Sequence, residues 1–424
     1  MIKKNILILI EAMIPFTNYW GGCQRAFTYG QKLVDSGYKV HVICRNQSNL
    51  DEGIVEYDNL VVSGRGEPIK PVSKTVDYQE GIKDRVFSQI KKNKYIRGIA
   101  SGWFRFMFSE PNALDGKMSS DWVKRNTQYI ETYIDENEIE TVIISGPPFG
   151  LFYLVPNLKR KNVNVILDYR DPWTLWYEKM SLASLAEKRA VNNADLVITS
   201  TEALAEGIKS RFRANNVYPI LNGYSKEIWD AIDVANRDNS RFVVSHIGTI
   251  TINRDGGFRN ATNFIKAANI FLSEHENAIV QFVGVKNPEE GQMLGLNSRL
   301  IFMPQVPVKT ANEMIVNSSL LVALHTAHDS SGKYIICGKI YDYLKSGNQI
   351  LSIGDCAFAN KKIVEDNNAG IHCNDNTDSI LSVLTEQYHM WEKHQYRSKV
   401  ENYEFYSRDY QNTEFVRLVK DITK

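Results

Sequence analysis

Short apolar runs alternate with segments of helical periodicity along most of this chain. One series begins with NILILIEAMI and KVHVICR and resumes later with TVIISGPP, NVILDYRDPW, ADLVITST and VYPILNG. A second series comprises RFVVSHIGTI, AIVQFVGVK, RLIFMPQVP, LLVALHT, QILSIGD and AGIHCND. Apolar runs of strand length that alternate with amphipathic helices are typical of βα units in a parallel sheet. The pattern predicts an α/β chain with two Rossmann-like, doubly wound sheet domains.

The polar stretch NGYSKEIWDAIDVANRDNSR separates the two series and is the expected linker, because domains part where few contacts cross. A chain of 424 residues is long enough for two domains. We predict a first domain over residues 1–225 with an insertion at about 65–125, a second domain over 226–405, and a C-terminal segment over 406–424. Ligands of open α/β sheets bind beyond the carboxyl ends of the strands, so a cleft between two such domains is the expected site.

Charge and cysteine content exclude several classes of function. Lys and Arg total 50 against 49 for Asp and Glu, so the chain is not a polycation for nucleic acid. The five cysteines are scattered without a C-x-x-C pair, which disfavours a disulfide framework or zinc site and fits a reducing cytosol. The N-terminal MIKKNILILIEAMIP is expected to be a buried strand rather than a signal peptide, because Glu11 interrupts it. Without a run of about 18 apolar residues, membrane contact would be peripheral.

Two loops of the first half carry glycine or proline next to predicted strands. Gly21 and Gly22 are expected just before a helix, where backbone amides can approach a ligand and the helix N-terminus favours an anion. A plain turn is the alternative for this glycine pair. Pro147 and Pro148, in SGPPFG, fix φ and stiffen the loop after another strand.

The stretch LDYRDPW ends a predicted strand with three charged residues. The proline after Asp171 indicates that the strand has ended, so Arg170 and Asp171 are expected at its mouth, with Asp168 still within it. A carboxylate at that place could orient or deprotonate a hydroxyl. The alternative is an internal Arg–Asp ion pair that shapes the loop. His41 lies in mid-strand and is expected in the core, and the next histidine is His246, so Asp171 is the stronger candidate base in this half.

In the second half, SHIGTITINRDGG places Gly248 and Thr249 at the end of a strand. Arg254 follows six residues after Gly248, near the start of a helix. A guanidinium group there is suited to bidentate contact with phosphate oxygens. A solvated surface arginine is the alternative.

The stretch KYIICGKIYDYLKSGNQILSIGD predicts a helix that begins near Lys339, ends at Gly347 and precedes a strand. Lys339 adds positive charge to the positive end of the helix dipole, which is unfavourable unless an anion binds. Asp342, three residues on, lies on the same helical face and could accept hydrogen bonds from vicinal hydroxyls. The alternative is a surface Lys–Asp ion pair, which contributes little to stability.

The insertion contains a segment at 87–108, FSQIKKNKYIRGIASGWFRFMF, that mixes basic and aromatic residues. This composition suits an interfacial segment attracted to anionic lipid, and a buried helix with a basic face is the alternative. The residues concerned are Lys91, Lys92, Lys94, Arg97, Arg105, Trp103, Phe104, Phe106 and Phe108.

Taken in order, GG after the first strand, SGPP, DYRDPW, ADLVITST, LNGY, IGT and GKIYDYLKSG resemble the family-4 glycosyltransferases of the two-Rossmann GT-B architecture. The bacterial members that build surface polysaccharides are especially similar. The resemblance spans nearly the whole chain, and GKIYDYLKSG and DYRDPW are its most specific parts. It implies that Asp342 binds the ribose of a nucleotide and that Lys339 and Arg254 meet its diphosphate. The Gly21–Gly22 loop would close over the donor or admit the acceptor.

The resemblance implies transfer of a sugar from a nucleotide-diphosphate-sugar to a hydroxyl of a saccharide or lipid-linked acceptor. No metal or other cofactor is expected. Most members retain the anomeric configuration, and in an inverting member Asp171 would be the base. The expected localisation is the cytoplasm or the inner face of the membrane, without nucleic acid as a partner. The candidate catalytic residues are Asp171, Arg254 and Lys339. The donor-binding candidates are Gly21, Gly22, Gly248, Thr249, Arg254, Lys339, Tyr341 and Asp342. The acceptor-side candidates are Pro147, Pro148, Asp168, Arg170 and Asp171.

The chain departs from the family pattern at two motif positions, and the histidine that is common in the family's first domain is not evident. Tyr334 stands where the family has the first of two glutamates, and Thr249 stands where many members have an arginine. Two other functions therefore remain as alternatives: a sugar-nucleotide epimerase on the same plan, and a non-catalytic protein that binds nucleotide sugars in a polysaccharide assembly complex. The C-terminal FYSRDYQNTEFVRLVKDI looks like the helix that crosses back to the first domain in such folds.

Overall fold

The computed structural model describes residues 4–17, 20–46, 53–57, 59–65, 117–176, 181–235, 237–253, 257–293, 295–395 and 403–423. Most of the predicted insertion, including the segment 87–108, lies outside these residues. The chain divides into two compact units. The first contains Met1–Thr199, Ala205–Pro219 and Phe415–Lys424, and the second contains Ser200–Leu204 and Ile220–Glu414.

The first unit is built on an eight-stranded sheet. Its strands lie in the order β3-β4-β2-β1-β5-β6-β7-β8, and every neighbouring pair is parallel except β3 and β4. Along β1 all residues after the first are buried, which is typical of a parallel sheet covered on both faces. The strands are β1 Asn5–Ile10, β2 Lys39–Arg45, β3 Gly53–Tyr57, β4 Leu60–Arg65, β5 Ile139–Gly146, β6 Asn164–Tyr169, β7 Leu196–Thr199 and β8 Val217–Pro219.

The helices between these strands follow the βα pattern read from the sequence. They are α1 Trp20–Asp35, α2 Lys117–Glu136, α3 Val155–Arg160, α4 Leu182–Asn193 and α5 Glu202–Phe212, with short 3₁₀ helices at Phe149–Leu154 and Thr174–Trp176. Strand β6 ends at Tyr169, so Arg170 and Asp171 lie just beyond the strand, as the following proline predicted.

The second unit is built on a six-stranded parallel sheet. Its strands lie in the order β11-β10-β9-β12-β13-β14, which is the strand order of the Rossmann fold and reverses direction between β9 and β12. The prediction of two Rossmann-like parallel-sheet domains is confirmed. The strands are β9 Phe242–Ile247, β10 Ala278–Val283, β11 Leu300–Met303, β12 Leu320–Leu324, β13 Gln349–Ile353 and β14 Gly370–Cys373.

Helices cover both faces of this second sheet. Phe264, Phe271 and Phe282 belong to the apolar cluster on one face, and Trp229 and Tyr343 belong to the cluster on the other. The polar stretch expected as a linker contains the short helix that carries Trp229, whose side chain is buried. The helices are α6 Lys226–Asp230, α7 Thr262–Glu274, α8 Pro288–Gln292, α9 Val308–Val316, α10 Lys339–Ser346, α11 Phe358–Asp366, α12 Thr377–Glu392 and α13 Arg408–Ile422, with 3₁₀ helices at Ser330–Lys333 and Glu404–Tyr406.

The last helix, α13, has residues in both units. From Phe415 onward it belongs to the first unit, where the Phe415 ring lies 4.8 Å from the Tyr29 ring. Just after the helix, the Thr423 and Tyr38 hydroxyls are hydrogen bonded at 3.2 Å. Buried apolar side chains therefore attach the end of the chain to the first unit.

Candidate functional site

Two glycines border the end of strand β9 in the second unit. Gly248 follows the strand with φ +134°, a conformation that L side chains rarely adopt. Gly284, after β10, approaches so closely that an added Cβ would lie 3.2 Å from the Gly248 Cα. A Cβ on Gly248 would lie 2.6 Å from Lys339 Nζ. The Lys339 side-chain nitrogen therefore packs against the Gly248 backbone, in space that a side chain at position 248 would occupy.

Lys339 is held by a histidine from β9. The His246 Nδ1 lies 3.0 Å from the Val322 carbonyl oxygen, which can only accept, so Nδ1 carries the proton and donates. The unprotonated Nε2 then accepts a hydrogen bond from Lys339 Nζ at 3.0 Å. Burial and the neighbouring Lys339 charge keep the pKa of His246 well below its usual value, so the imidazole is neutral.

The charge of Lys339 has no neutralising partner among the described residues. No Asp or Glu oxygen described here lies within 4.0 Å of its Nζ. Desolvation of the half-buried side chain lowers its pKa from 10.5 to about 7; Cys337 opposes this shift, and the Arg259 charge adds to it. An anion that binds from solution would therefore stabilise the charged form of Lys339.

A second cation comes from the loop after β9. The exposed Arg259 donates from Nη1 to the Thr249 hydroxyl, and its carbonyl oxygen accepts from the Thr251 amide at 2.8 Å. Thr326, after β12, donates from Oγ1 to the Gly257 carbonyl oxygen at 2.7 Å and so fixes the returning part of the loop. These contacts hold the guanidinium beside Gly248 and near Lys339.

Arg254, the residue predicted from the sequence in this loop, lies outside the described residues. Neither Arg259 nor His246 was predicted. Arg259 could have been noticed as a second arginine in the same loop, three residues before α7 begins at Thr262. His246 gave no such signal, because a histidine inside an apolar strand reads as core.

Asp342 lies one helical turn after Lys339 on α10. Its Oδ1 accepts a hydrogen bond from the Trp229 indole nitrogen at 2.8 Å, and no described residue donates to Oδ2. Burial raises the pKa of this carboxyl, while the Trp229 hydrogen bond and the Arg408 charge oppose the rise. The side chain is half-buried, so one carboxylate oxygen is left for a ligand.

The two tyrosines of this region are placed differently from Lys339 and Asp342. Tyr341 is fully buried in the apolar cluster under α10, with its ring 6.2 Å from the Tyr406 ring. Tyr334, at the position of the missing family glutamate, accepts a hydrogen bond from the Thr201 hydroxyl through its carbonyl oxygen at 2.6 Å. Lys339 and Asp342 contact His246 and Trp229, and they do not form the surface ion pair that was the alternative.

In the first unit, Asp168 is at the centre of a buried network. Its oxygens accept from Arg25 Nε at 2.9 Å, from the Ser145 hydroxyl at 2.8 Å and from the Tyr29 hydroxyl at 3.3 Å. The Asp168 side chain has 0% exposure. The network ties α1 to β5 and β6, and any contact between Asp168 and a ligand would require these partners to move.

Asp171 is placed differently from Asp168, although only three residues separate them. Its side chain is half-buried and forms no hydrogen bond with any described residue. Burial raises the pKa of its carboxyl, and the Arg170 charge opposes the rise. Arg170 instead donates from Nη2 to the Pro147 carbonyl oxygen, next to Pro148. Asp171 thus offers, at the end of β6, a carboxyl group that no described residue hydrogen bonds.

The glycine pair lies inside a helix rather than before it. Helix α1 begins at Trp20, so Gly21 and Gly22 occupy its first turn. The prediction of a loop at this point was wrong about the start of the helix.

Neither a metal site nor a membrane span is found in the part of the chain that the structure describes. No group of three or more His, Cys, Asp or Glu side chains there could hold a metal ion. Of the helices in that part, none has the length and apolar character needed to cross a membrane.

The fold resembles solved structures of enzymes that handle sugars. Sucrose-phosphate synthase from Thermosynechococcus elongatus has a TM-score of 0.65 at 11% identity, covering 99% of each chain. A glycosyltransferase from Rickettsia africae ESF-5 has a TM-score of 0.61 at 10% identity, covering 100% of each chain. A candidate UDP-N-acetylglucosamine 2-epimerase from Listeria monocytogenes has a TM-score of 0.56 at 10% identity, covering 99% of this chain and 97% of that one.

Neither a protein-family model nor a curated protein sequence matches the chain. At such low identity, the structural likeness establishes the fold alone. The predicted GT-B fold, with two Rossmann-like domains, is thereby confirmed over the whole length compared.

Proposed function

We propose that the protein is a glycosyltransferase that moves a sugar from a nucleotide-diphosphate-sugar to a hydroxyl group of a saccharide or lipid-linked saccharide in cell-surface polysaccharide synthesis. The observation that carries this proposal is the pair of cations, Lys339 and Arg259, beside Gly248 at the carboxyl end of β9. This edge lies where the strand order reverses, which is the usual ligand position in such sheets.

The proposed chemistry needs positive charge where the diphosphate leaves. As the bond between sugar and diphosphate breaks, negative charge grows on the phosphate oxygens, and preorganised cations stabilise it. Lys339 and Arg259 supply this charge, and Arg254 from the same loop is a further candidate. In this proposal the reaction needs no metal ion.

Asp342 is proposed to bind the ribose. Its Oδ1 is committed to Trp229, and Oδ2 can accept from a ribose hydroxyl. Tyr341 would act through packing, because its side chain is buried beneath α10 and has no surface for the donor. The spacing of Lys339 and Asp342 by one helical turn suits a ligand whose phosphate and ribose are adjacent.

On the acceptor side, Asp171 is the proposed contact for the hydroxyl group. Burial raises the pKa of this carboxyl, which makes the carboxylate a stronger base, and no hydrogen bond from a described residue competes for its oxygens. This role as base belongs to an inverting reaction. In a retaining reaction, which the family resemblance favours, Asp171 would orient the acceptor and the leaving phosphate would take the proton. Arg170 and the Pro147–Pro148 loop would shape the same region.

The decisive experiment is nucleotide release with Asp342→Ala, Lys339→Met and Arg259→Ala. Each change is expected to lower turnover of nucleotide sugars at least tenfold. Asp366→Ala is the matched control, because Asp366 is an exposed acid of the same unit whose ion-pair partner among the described residues is Lys362. Parent-like turnover in the three site variants would contradict the proposal.

An epimerase is the second candidate, supported by the structural likeness to the Listeria protein. The two functions differ in what they release. A glycosyltransferase liberates nucleoside diphosphate only when acceptor is present, whereas an epimerase interconverts nucleotide sugars with no acceptor. A protein that binds nucleotide sugar, but neither releases nucleoside diphosphate with any of a broad panel of acceptors nor interconverts nucleotide sugars, would be the non-catalytic binding protein.

A further inference from the structure

The contact between Lys339 and His246 has a consequence for ligand binding. The His246 ring is enclosed, and its Nδ1–H donates to the Val322 carbonyl oxygen, which fixes both the ring orientation and the tautomer. Nε2 therefore presents a lone pair to Lys339 Nζ at 3.0 Å. A neutral imidazole can accept a hydrogen bond from the lysine in either protonation state, but it does not neutralise an ammonium charge.

The other groups around Lys339 also fail to neutralise it. From the loop after β9, the Arg259 guanidinium adds like charge. Just before α10, the Cys337 thiol donates to the Leu324 carbonyl oxygen at 3.4 Å, which leaves it occupied. On α10 itself, Asp342 is turned to Trp229. The half-buried amine thus meets like charge and desolvation without a described acid, and these lower its pKa to about 7.

We infer that His246 is a positioning residue for Lys339, and that binding of a diphosphate group draws one proton from solvent onto the neutral Lys339 amine, converting it to an ammonium ion against the ligand. This inference rests on the proposed function, because it assumes a diphosphate at this edge of the sheet. The bound anion supplies the opposite charge that the empty site lacks, so it favours the protonated form.

The direction of the pH dependence follows from this linkage. Below pH 7 the empty site is already protonated, so binding takes up little. Above pH 7 the empty amine is neutral, and uptake rises toward one proton per bound ligand. Affinity therefore falls as pH rises through 7, by up to about tenfold per pH unit while the bound lysine stays charged.

Calorimetric titration tests this with uridine, guanosine, adenosine and thymidine diphosphates as probes. Heats are measured in HEPES and in Tris, whose ionisation enthalpies differ, at pH 6, 7 and 8. At pH 8 the diphosphates are fully ionised, so proton uptake reports the protein. We expect nearly one proton to be taken up per bound ligand at pH 8. At pH 6 the amine is already charged and the terminal phosphate of the probe still holds part of a proton, so the uptake is expected to disappear or to turn into release.

Lys339→Arg is the matched variant, because a guanidinium group stays charged throughout this range. It is expected to bind the same probe with no proton uptake at pH 8. His246→Gln keeps an acceptor for Lys339 and is expected to keep the parent profile. His246→Phe removes the acceptor, so the midpoint of uptake is expected to move to lower pH and the affinity to fall several-fold.

The outcomes separate the inference from the proposed function. Binding of a probe to the parent protein without proton uptake at pH 8 would overturn the inference alone. Equal uptake in the parent and in Lys339→Arg would place the proton elsewhere and overturn it as well. Identical profiles for the two His246 variants would remove the positioning role. If none of the four diphosphates binds, the proposed function fails and the inference fails with it. If His246→Phe does not fold, the proton uptake of the parent protein at pH 8 still tests whether Lys339 gains a proton on binding.

Discussion

At the scale of single residues, partner groups decide what each charged side chain can do. Asp168 and Asp171 are close in sequence, yet Asp168 is enclosed by Arg25 and Tyr29 while Asp171 has no such partners. Lys339 and Asp342 share a helical face but contact His246 and Trp229 respectively. Each of these differences arises from an element distant in sequence, so local spacing could not reveal it.

Trp229 lies in the stretch that was predicted to be a linker, and its indole nitrogen donates a hydrogen bond to Asp342 in the candidate site. Trp229→Phe removes the hydrogen bond to Asp342 Oδ1 and leaves the half-buried carboxyl with one donor fewer. A lost hydrogen bond to a charged group of this kind corresponds to about 1.5–3 kcal/mol, part of which solvent recovers here. We expect the dissociation constant for nucleoside diphosphates to rise about 3- to 10-fold.

Calorimetric titration measures this change, and Trp391→Phe is its control. Trp391 lies on α12 in the same unit, where its ring packs against the Tyr388 and Phe242 rings. Equal affinities for the Trp229 variant and the parent would mean that Asp342 does not contact the ligand or that it does not need the indole.

Glu187 predicts a pH effect on stability that is separate from the site chemistry. The side chain is fully buried on α4, where its Oε2 accepts from the Thr174 amide at 3.0 Å and from the Thr174 hydroxyl. Burial raises the pKa of Glu187 from 4.5 to about 7, although the two Thr174 hydrogen bonds and the Arg211 charge oppose the rise. The folded state therefore holds a proton that the unfolded chain has lost.

The stability from this proton is fully present below pH 4.5 and is lost as pH rises through 7, because the unfolded chain ionises over that range while the folded carboxyl keeps its proton. Between pH 5 and pH 8 the loss is about 2–3 kcal/mol. Glu187→Gln keeps a neutral acceptor that does not titrate. The free energy of unfolding of the variant minus that of the parent is therefore expected to be larger at pH 8 than at pH 5 by about 2–3 kcal/mol. Urea unfolding at both values measures it. A constant difference between the two proteins would show that Glu187 does not titrate in this way.

At the scale of elements, the C-terminal end of helix α10 could be predicted from the sequence, whereas the residues that its side chains contact could not. The helix stops at Gly347, whose φ of +71° is the left-handed conformation typical of helix termini. This stop, like the strands β9 and β13 beside it, could be read from the sequence because the signal is local. The start of α1 at Trp20 and the presence of α6 could not, since polar and glycine-rich stretches resemble loops.

The two glycines that flank α10 provide a matched test of helix-end conformation. Gly347→Ala is expected to lower the free energy of unfolding by about 1 kcal/mol, because alanine is disfavoured at positive φ. Gly338→Ala is expected to raise it by about 0.4–1 kcal/mol, because φ is −54° and no atom lies within 4 Å of the added Cβ. Urea unfolding measures both. A stabilising Gly347→Ala would contradict the account of the helix end.

At the scale of the whole molecule, the fold was more predictable than the site. Alternating apolar and helical segments are repeated many times, so errors at single boundaries leave the two Rossmann-like units intact. The site depends on single contacts between distant residues, such as Lys339 with His246 across 93 positions and Asp342 with Trp229 across 113. Sequence spacing identified Lys339 and Asp342, because both lie on α10. It gave no indication of their partners, His246 and Trp229.

The predicted membrane contact also belongs to the whole molecule, since it would decide where the protein meets the lipid-linked acceptor of its proposed function. The segment 87–108 lies outside the described residues, and its basic and aromatic composition is the ground for the prediction. Binding to anionic vesicles is expected, and it should weaken as salt shortens the Debye length from about 10 Å at 0.1 M to about 3 Å at 1 M.

Co-sedimentation with vesicles that contain phosphatidylglycerol tests this prediction. Changing Trp103 and Phe106 together to Ser removes two aromatic rings, each of which contributes about 1.5–3 kcal/mol when fully buried. The bound fraction is therefore expected to fall at least tenfold at limiting lipid. Leu296→Ser is the control, because Leu296 is 90% exposed and lies outside the segment. If the double variant sediments like the parent while the control is also unchanged, residues 87–108 do not anchor the protein, and the proposed lipid-linked acceptor would have to reach it by another route.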